Sequence, residues 1–189
     1  MLIVSQNLTN YEIDLPQDAI FRVNLAWVNN LKELEVILGK HRSHKIFLDL
    51  PTNRTKPPNN KYGIDELIPI IKSNQNIRYF SVSNINSVDD LEMYFNIIPK
   101  HIVIIPKIES VEGVSNIKQI TDALGANKII MFDHDDLYSS IFQSKQPISK
   151  FLECFNELIE HCKKDKVVLL RTVGVVFSDG EKKVSDYIG

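Results

Sequence analysis

The sequence predicts an α/β protein, a small (β/α) barrel of the TIM type with seven recognisable strands, and three observations predict it. Short apolar runs rich in β-branched residues alternate along the whole length with segments of helical periodicity, the pattern of a parallel sheet covered by helices. Neither a Gly-rich phosphate loop nor a Rossmann fingerprint appears, which weighs against a doubly wound sheet. Polar residues gather at the C-terminal ends of the strands, the face on which barrels carry their catalytic groups.

Strands are expected at Leu2–Val4, Ile20–Ala26, Lys45–Leu50, Ile77–Val82, Ile102–Ile108, Lys128–Phe132 and Lys166–Leu170. Between the second and third, Leu31, Leu34, Ile37 and Leu38 repeat at helical spacing, and Gly39 offers a stop. Ile64–Lys72 is amphipathic in the same way. Val88–Ile98 is too, with Ser87 as cap and Asp89 and Asp90 in its first turn. Val114, Ile117, Ile120 and Leu124 make one further stripe, and Phe151, Leu152, Phe155, Leu158, Ile159 and Cys162 another, each read as a core-facing surface. Seven strands leave a barrel one short, with Val173–Phe177 as a candidate for the eighth.

A chain of 189 residues suits one domain, 1–189, with a substantial core. The formal net charge of −2 gives no electrostatic case for nucleic acid or an anionic membrane. No apolar run reaches membrane-spanning length, and Met1–Val4 is too short for a signal peptide. Cys154 and Cys162 lie too far apart on one expected helix to bridge, so a soluble protein of a reducing, cytoplasmic compartment is expected. The basic cluster Lys40-His41-Arg42 with His44 and Lys45 falls on the face opposite the strand ends and reads as a solvated patch.

The strand ends carry Arg22 and Asn24, Asp49, Ser81 and Ser83, Lys107 and Glu109, Asp133 and Asp136, and Thr172. Lys107 and Glu109 are two apart on a strand and so share a face. An ammonium and a carboxylate there, with another carboxylate on the next strand, suit a divalent cation and an anionic substrate. A structural ion-pair network is the plain alternative, since buried charges need partners whatever they do. His134, beside this group, reads as a hydrogen-bonded surface residue.

These segments resemble the central barrel domain of the pyruvate kinase family, in order and over most of the chain. Phe21–Ala26 is similar to its Arg-x-Asn-x-Ser strand end, and Ile46–Leu50 with Arg54-Thr55 to its Leu-Asp-Thr…Arg-Thr segment. Phe80–Ser83 stands at its Ser-Phe-Val-Arg. Lys107-Ile108-Glu109 with Glu112-Gly113-Val114 matches Lys-Ile-Glu-Asn-x-Glu-Gly-Val, the most specific piece. Asp135-Asp136-Leu137 sits at Gly-Asp-Leu, Thr172 at the Thr of Ala-Thr-Gln, and Val184-Ser185-Asp186 at Val-Ser-Asp.

The resemblance implies that Glu109 and Asp136 hold Mg²⁺ or Mn²⁺ against a small anionic substrate, a 2-oxo acid or its enol phosphate. It implies that Lys107 faces the enolate oxygen and the transferring phosphoryl group, and that Arg22 binds phosphate. It places Thr172 near the substrate methyl group, passing a proton through water, matches Asn24 and Asp49 to part of the family's monovalent-cation site, and sets these two with Asp135 around the bound substrate. The departures are specific. Positions 56–63 form a short loop where the family inserts its lid domain. Ala26 and Leu50 replace its potassium-site Ser and Thr, which argues against potassium. Asp135 replaces the Gly that presents backbone N–H groups to the substrate carboxylate.

Pyruvate kinase-like enolate or phosphoryl-transfer chemistry is therefore expected. A metal-dependent aldolase or other C–C lyase of the same superfamily is the first alternative. A catalytically inactive binding module is the second. An open barrel side would expose strand edges, so a second copy or a partner protein is expected to cover it.

Overall fold

The computed structural model describes residues 3–5, 16–52 and 61–171. The expected strand residue Leu2, Arg54 and Thr55, most of the loop at 56–63, Thr172, Val173–Phe177 and Val184–Asp186 lie outside them.

The strands are β1 (Ile3–Ser5), β2 (Ile20–Asn24), β3 (Lys45–Leu50), β4 (Ile77–Val82), β5 (Val103–Ile108), β6 (Ile129–Phe132) and β7 (Val168–Arg171). They form one seven-stranded sheet in chain order, each pairing in parallel with the next. The α/β class is as expected, but the barrel is not. The sheet is an open half-barrel with β1 and β7 at its two edges, and among the described residues no pairing joins them. Closure requires that last ladder, with strand number and stagger matched around the ring. The edges instead end in strands of three and four residues, and Val168 on β7 is exposed.

Alternation along the strands sorts two cores. Phe21, Val23, Ile46, Leu48, Phe80, Ile104, Ile130 and Phe132 face the helices and pack on Leu34, Leu38, Leu67, Ile71, Leu91, Ile120 and Leu158. The opposite, concave face carries a smaller cluster of Ile20, Phe47, Ile105, Ile129 and Met131, with Tyr79 and Leu170 at its margin. On β2 to β5 these residues occupy the first halves of the strands. One step further along the same face the side chains become Arg22, Asp49, Ser81 and Lys107, so a short apolar floor supports a polar, charged rim.

The helices are α1 (Leu31–Lys40), α2 (Ile64–Ser73), α3 (Asp89–Ile97), α4 (Val111–Ser115), α5 (Ile117–Ala123), α6 (His134–Gln143) and α7 (Ser149–Lys164). Asn30 caps α1 by accepting from the Glu33 N–H at 2.9 Å. Several expectations are corrected here. The second strand stops at Asn24, whose Oδ1 accepts from the Ala26 N–H at 3.0 Å and starts a 3-10 turn at Leu25–Trp27. Asp90, not Ser87, closes the start of α3, taking the N–H groups of Asn86 and Ser87, each at 2.8 Å. The stripe from Val114 to Leu124 is split by Asn116 into two short helices. Leu152 points outward on α7, where Cys154, Leu158 and Cys162 face inward. His41 is not simply solvated, since its ring stacks on Phe21 at 3.6 Å.

Gly113 in α4 sets how closely the β4 and β5 exits approach. A Cβ there would meet the Ile85 carbonyl oxygen at 2.6 Å, and backbone cannot swing aside as a side-chain tip can. Gly113→Ala should therefore destabilise the fold by about 1–3 kcal/mol, the usual cost of overpacking. Urea denaturation checks this, and an unchanged midpoint would contradict it.

Candidate functional site

The polar rim is built by four consecutive strands and the start of one helix. On β3, Asp49 is fully buried, accepts hydrogen bonds from two neighbours and lies near a second cation. Arg22 of β2 gives it Nε at 3.1 Å and also Nη2, both to Oδ2. Ser81 of β4 gives Oδ1 its hydroxyl at 2.8 Å. Lys107 of β5 stands 3.8 Å from the same Oδ1. The parallel register puts Asp49 beside both Asn24 and Ser81, which is why strand-end residues distant in sequence meet here.

Lys107 is almost completely buried, with Nζ donating to Ser83 Oγ at 3.0 Å and lying 2.9 Å from Glu109 Oε1. Glu109 takes the Asn84 N–H on Oε2 at 2.8 Å. That donor is aimed by an unusual backbone: Asn84 has φ 57°, a left-handed value that Asn tolerates better than most residues. Its side-chain amide holds the Thr52 carbonyl at 2.6 Å, and the Ile85 N–H returns to the Lys107 carbonyl at 3.2 Å. The β4 exit is thus tied to both neighbouring strands.

Burial opposes charge at all three central residues, and the outcome differs. For Asp49 burial alone would raise the carboxyl, but Lys107 and Arg22, with the Arg22 and Ser81 hydrogen bonds, hold it below the ordinary range. For Lys107 burial would lower the ammonium, yet Asp49 and Glu109 keep it above its usual value, so it remains a cation. For Glu109 burial wins over Lys107 and the Asn84 N–H, with Asp136 adding to it, and the carboxyl is pushed up. Its Oε1 accepts no hydrogen bond of good geometry.

Glu109, Asp133 and Asp136 each present a carboxylate oxygen, and these lie within 4.8 Å of one another. Asp133 closes β6 and caps α6, with Oδ1 accepting the N–H groups of Asp135 at 3.1 Å and Asp136 at 3.4 Å. The set could hold a hard divalent cation, since one buried and two half-buried carboxylates bring oxygen donors together. Outward from Glu109 and Asp136 opens a cleft of about 230 Å³.

Of the residues expected at a site, Arg22, Asp49, Lys107, Glu109 and Asp136 meet at this rim. Asn24 is engaged in capping the turn that follows it. Asp135 is exposed in the first turn of α6, its N–H donated to Asp133. Thr172 lies outside the described residues. His134 packs edge-on to Phe132 with Nε2 2.9 Å from Arg171 Nη2, and burial followed by Arg171 lowers its pKa. Sequence reasoning assigned no role to Asp133, Ser81 or Ser83. The signal was present: Asp133 is two beyond Met131 and so continues the concave face, and it stands at N-cap spacing from Asp136.

Fold and rim together define an open parallel α/β sheet carrying an acid–lysine cluster at the strand C-termini. No family model and no curated protein matches the chain. Among solved structures it is similar to RipC from Yersinia pestis, with 15% identity, a TM-score of 0.61, and coverage of 85% of this chain and 72% of that one. At that identity the likeness shows the fold alone. No helix among the described residues is long and apolar enough to cross a membrane.

Proposed function

We propose that this chain binds a 2-oxo acid with Mg²⁺ or Mn²⁺ and stabilises its enolate, in the manner implied by its resemblance to the pyruvate kinase barrel. The observation that carries the reading is the buried Lys107 ammonium, 2.9 Å from a carboxylate that also belongs to the acidic triad. Glu109, Asp133 and Asp136 would hold the cation, which supplies Lewis-acid polarisation of the substrate oxygens when bound.

The remaining work falls to the chain itself. Lys107 is fixed by Ser83, Asp49 and Glu109, so its charge is oriented before substrate arrives, and such preorganised charge is worth most where negative charge develops. Asp49 keeps Lys107 and Arg22 at one end of the rim. The Arg22 guanidinium is partly exposed and spends Nε and Nη2 on Asp49, and its remaining N–H groups are the cationic donors assigned to an anionic group. Asp133 occupies the first N–H groups of α6, where an anion would otherwise sit. Recognition of the substrate carboxylate is therefore assigned to Arg22 rather than to this helix.

The test is exchange of pyruvate methyl protons into deuterated water, followed by NMR with and without Mg²⁺. Metal-dependent exchange is expected. No exchange, together with no metal-dependent binding of oxalate as an enolate mimic, would overturn the proposal.

A further inference from the structure

We infer that Asn84 is a positioning residue for the Lys107–Glu109 pair, acting through the direction of the peptide that joins it to Ser83. Among the described residues, three other than glycine have a left-handed φ: Asn84 at 57°, Lys145 at 54° and Lys166 at 55°. The two lysines follow the ends of α6 and α7, where a left-handed residue lets the last helical carbonyls find donors. The Gln146 N–H returns to the Ile141 carbonyl at 3.1 Å, and the Val167 N–H to that of Cys162 at 2.9 Å. Asn84 ends no helix. It follows Ser83 at the exit of β4, and a disfavoured conformation persists in such a place only where neighbouring contacts hold it.

Those contacts converge on the pair. The peptide between Ser83 and Asn84 is a bridge: its carbonyl accepts the Thr52 hydroxyl at 2.7 Å, and its N–H donates to Glu109 Oε2 at 2.8 Å. The Asn84 side-chain amide donates to the Thr52 carbonyl at 2.6 Å. On one side of the bridge Ser83 Oγ accepts from Lys107 Nζ at 3.0 Å, and on the other the Ile85 N–H donates to the Lys107 carbonyl at 3.2 Å. With Ile85 pinned, the direction of the bridging N–H turns on φ of residue 84. A right-handed φ of about −63° would swing it by ~120°, away from Glu109. Glu109 would lose the donor that fixes Oε2, and its carboxylate could turn and carry Oε1 off Lys107, which stands 2.9 Å away.

Glycine takes a left-handed φ without strain, asparagine takes it more readily than most residues, and a β-branched residue resists it. Backbone positioning therefore predicts an order that side-chain bonding does not. Asn84→Gly, which loses the amide to Thr52, should stay much closer to wild type than Asn84→Val.

The inference rests on the enolate reading for what the pair does and not for how it is held. The experiment measures pyruvate methyl exchange with Mg²⁺ in wild type, Asn84→Gly and Asn84→Val. In the same samples, ¹⁵N NMR follows exchange of the Lys107 ammonium protons with water. Asn84→Val should lower kcat on the order of 10–10²-fold with little change in KM for pyruvate, the pattern of a misplaced reacting group. Its Lys107 ammonium protons should exchange faster, and Asn84→Gly should return both readouts toward wild type. Asn84→Ala, less strained than valine, takes its place if Asn84→Val does not fold.

A wild-type rate or wild-type ammonium exchange in the folded variant would overturn the inference and leave the enolate reading standing. So would a fall in Asn84→Gly as large as in Asn84→Val, which would assign the effect to the side-chain amide. If wild type exchanges no pyruvate protons, the enolate reading falls instead, and the ammonium signal alone decides whether Asn84 positions the pair.

Discussion

Replacing Asp49 with alanine should lower the unfolding free energy by about 3–5 kcal/mol, the range for removing one partner of a buried ion pair. The residue is fully buried and faces two cations, Lys107 and Arg22. Arg22 is partly exposed and can turn to solvent, whereas Lys107 cannot, so the loss centres on a buried ammonium left with Glu109 alone. Asp49→Asn keeps the shape and an acceptor for Ser81 but removes the charge, and should lose most of the same stability.

The pH dependence has a definite sign. Asp49 is held below the ordinary carboxyl range in the fold, so the folded state binds fewer protons there than the unfolded chain. Its contribution is complete above the unfolded carboxyl value of about 4 and is lost as pH falls through the folded value. Glu109 runs the other way. Its carboxyl is raised, so its contribution is present below the unfolded value and lost as pH rises through the folded one. Urea titrations of wild type and Asp49→Ala at neutral and acid pH check both parts. The variant should lose most at neutral pH and approach wild type in acid. A loss below about 1 kcal/mol at neutral pH would place the network with ordinary surface pairs and contradict the prediction.

The rim was legible in the sequence because strand parity is local. Lys107 and Glu109 at spacing two must share a face, and Asp49, Ser81 and Arg22 stand at the ends of apolar runs whose direction is unambiguous. Closure of the sheet was not legible, for the opposite reason. A strand in an open half-barrel and one in a closed barrel share the same apolar alternation, and the difference lies in whether β7 meets β1 through pairing of distant residues. The start of α6 was missed because His134-Asp135-Asp136 reads as loop, and the inward stripe that follows has only Leu137 and Ile141. Unrecognised, that helix hid the role of Asp133, since a cap has meaning only once its helix is known. The open cleft depends on α6 as well, and so was beyond reach of the sequence.

Lys107→Met should slow pyruvate proton exchange by about 10²–10³-fold while leaving the protein folded, the loss typical of removing one preorganised charge from a reacting centre. Methionine keeps much of the buried volume and removes only the ammonium. The fold can absorb this better than the loss of Asp49. Asp49 retains Arg22 and Ser81, and Glu109, whose carboxyl burial already pushes up, can take a proton instead of standing as a second uncompensated charge. Stability and rate should therefore separate: a modest shift in the urea midpoint beside a large fall in exchange. A purely structural ion pair predicts the converse, with stability lost and any exchange untouched. Glu109→Gln sharpens the distinction, because it should abolish the metal dependence of exchange while substituting a neutral side chain for a carboxylate that burial disfavours. If exchange in Lys107→Met equals that of the wild type, the ammonium serves only to neutralise Asp49 and Glu109, and the enolate reading loses its central residue.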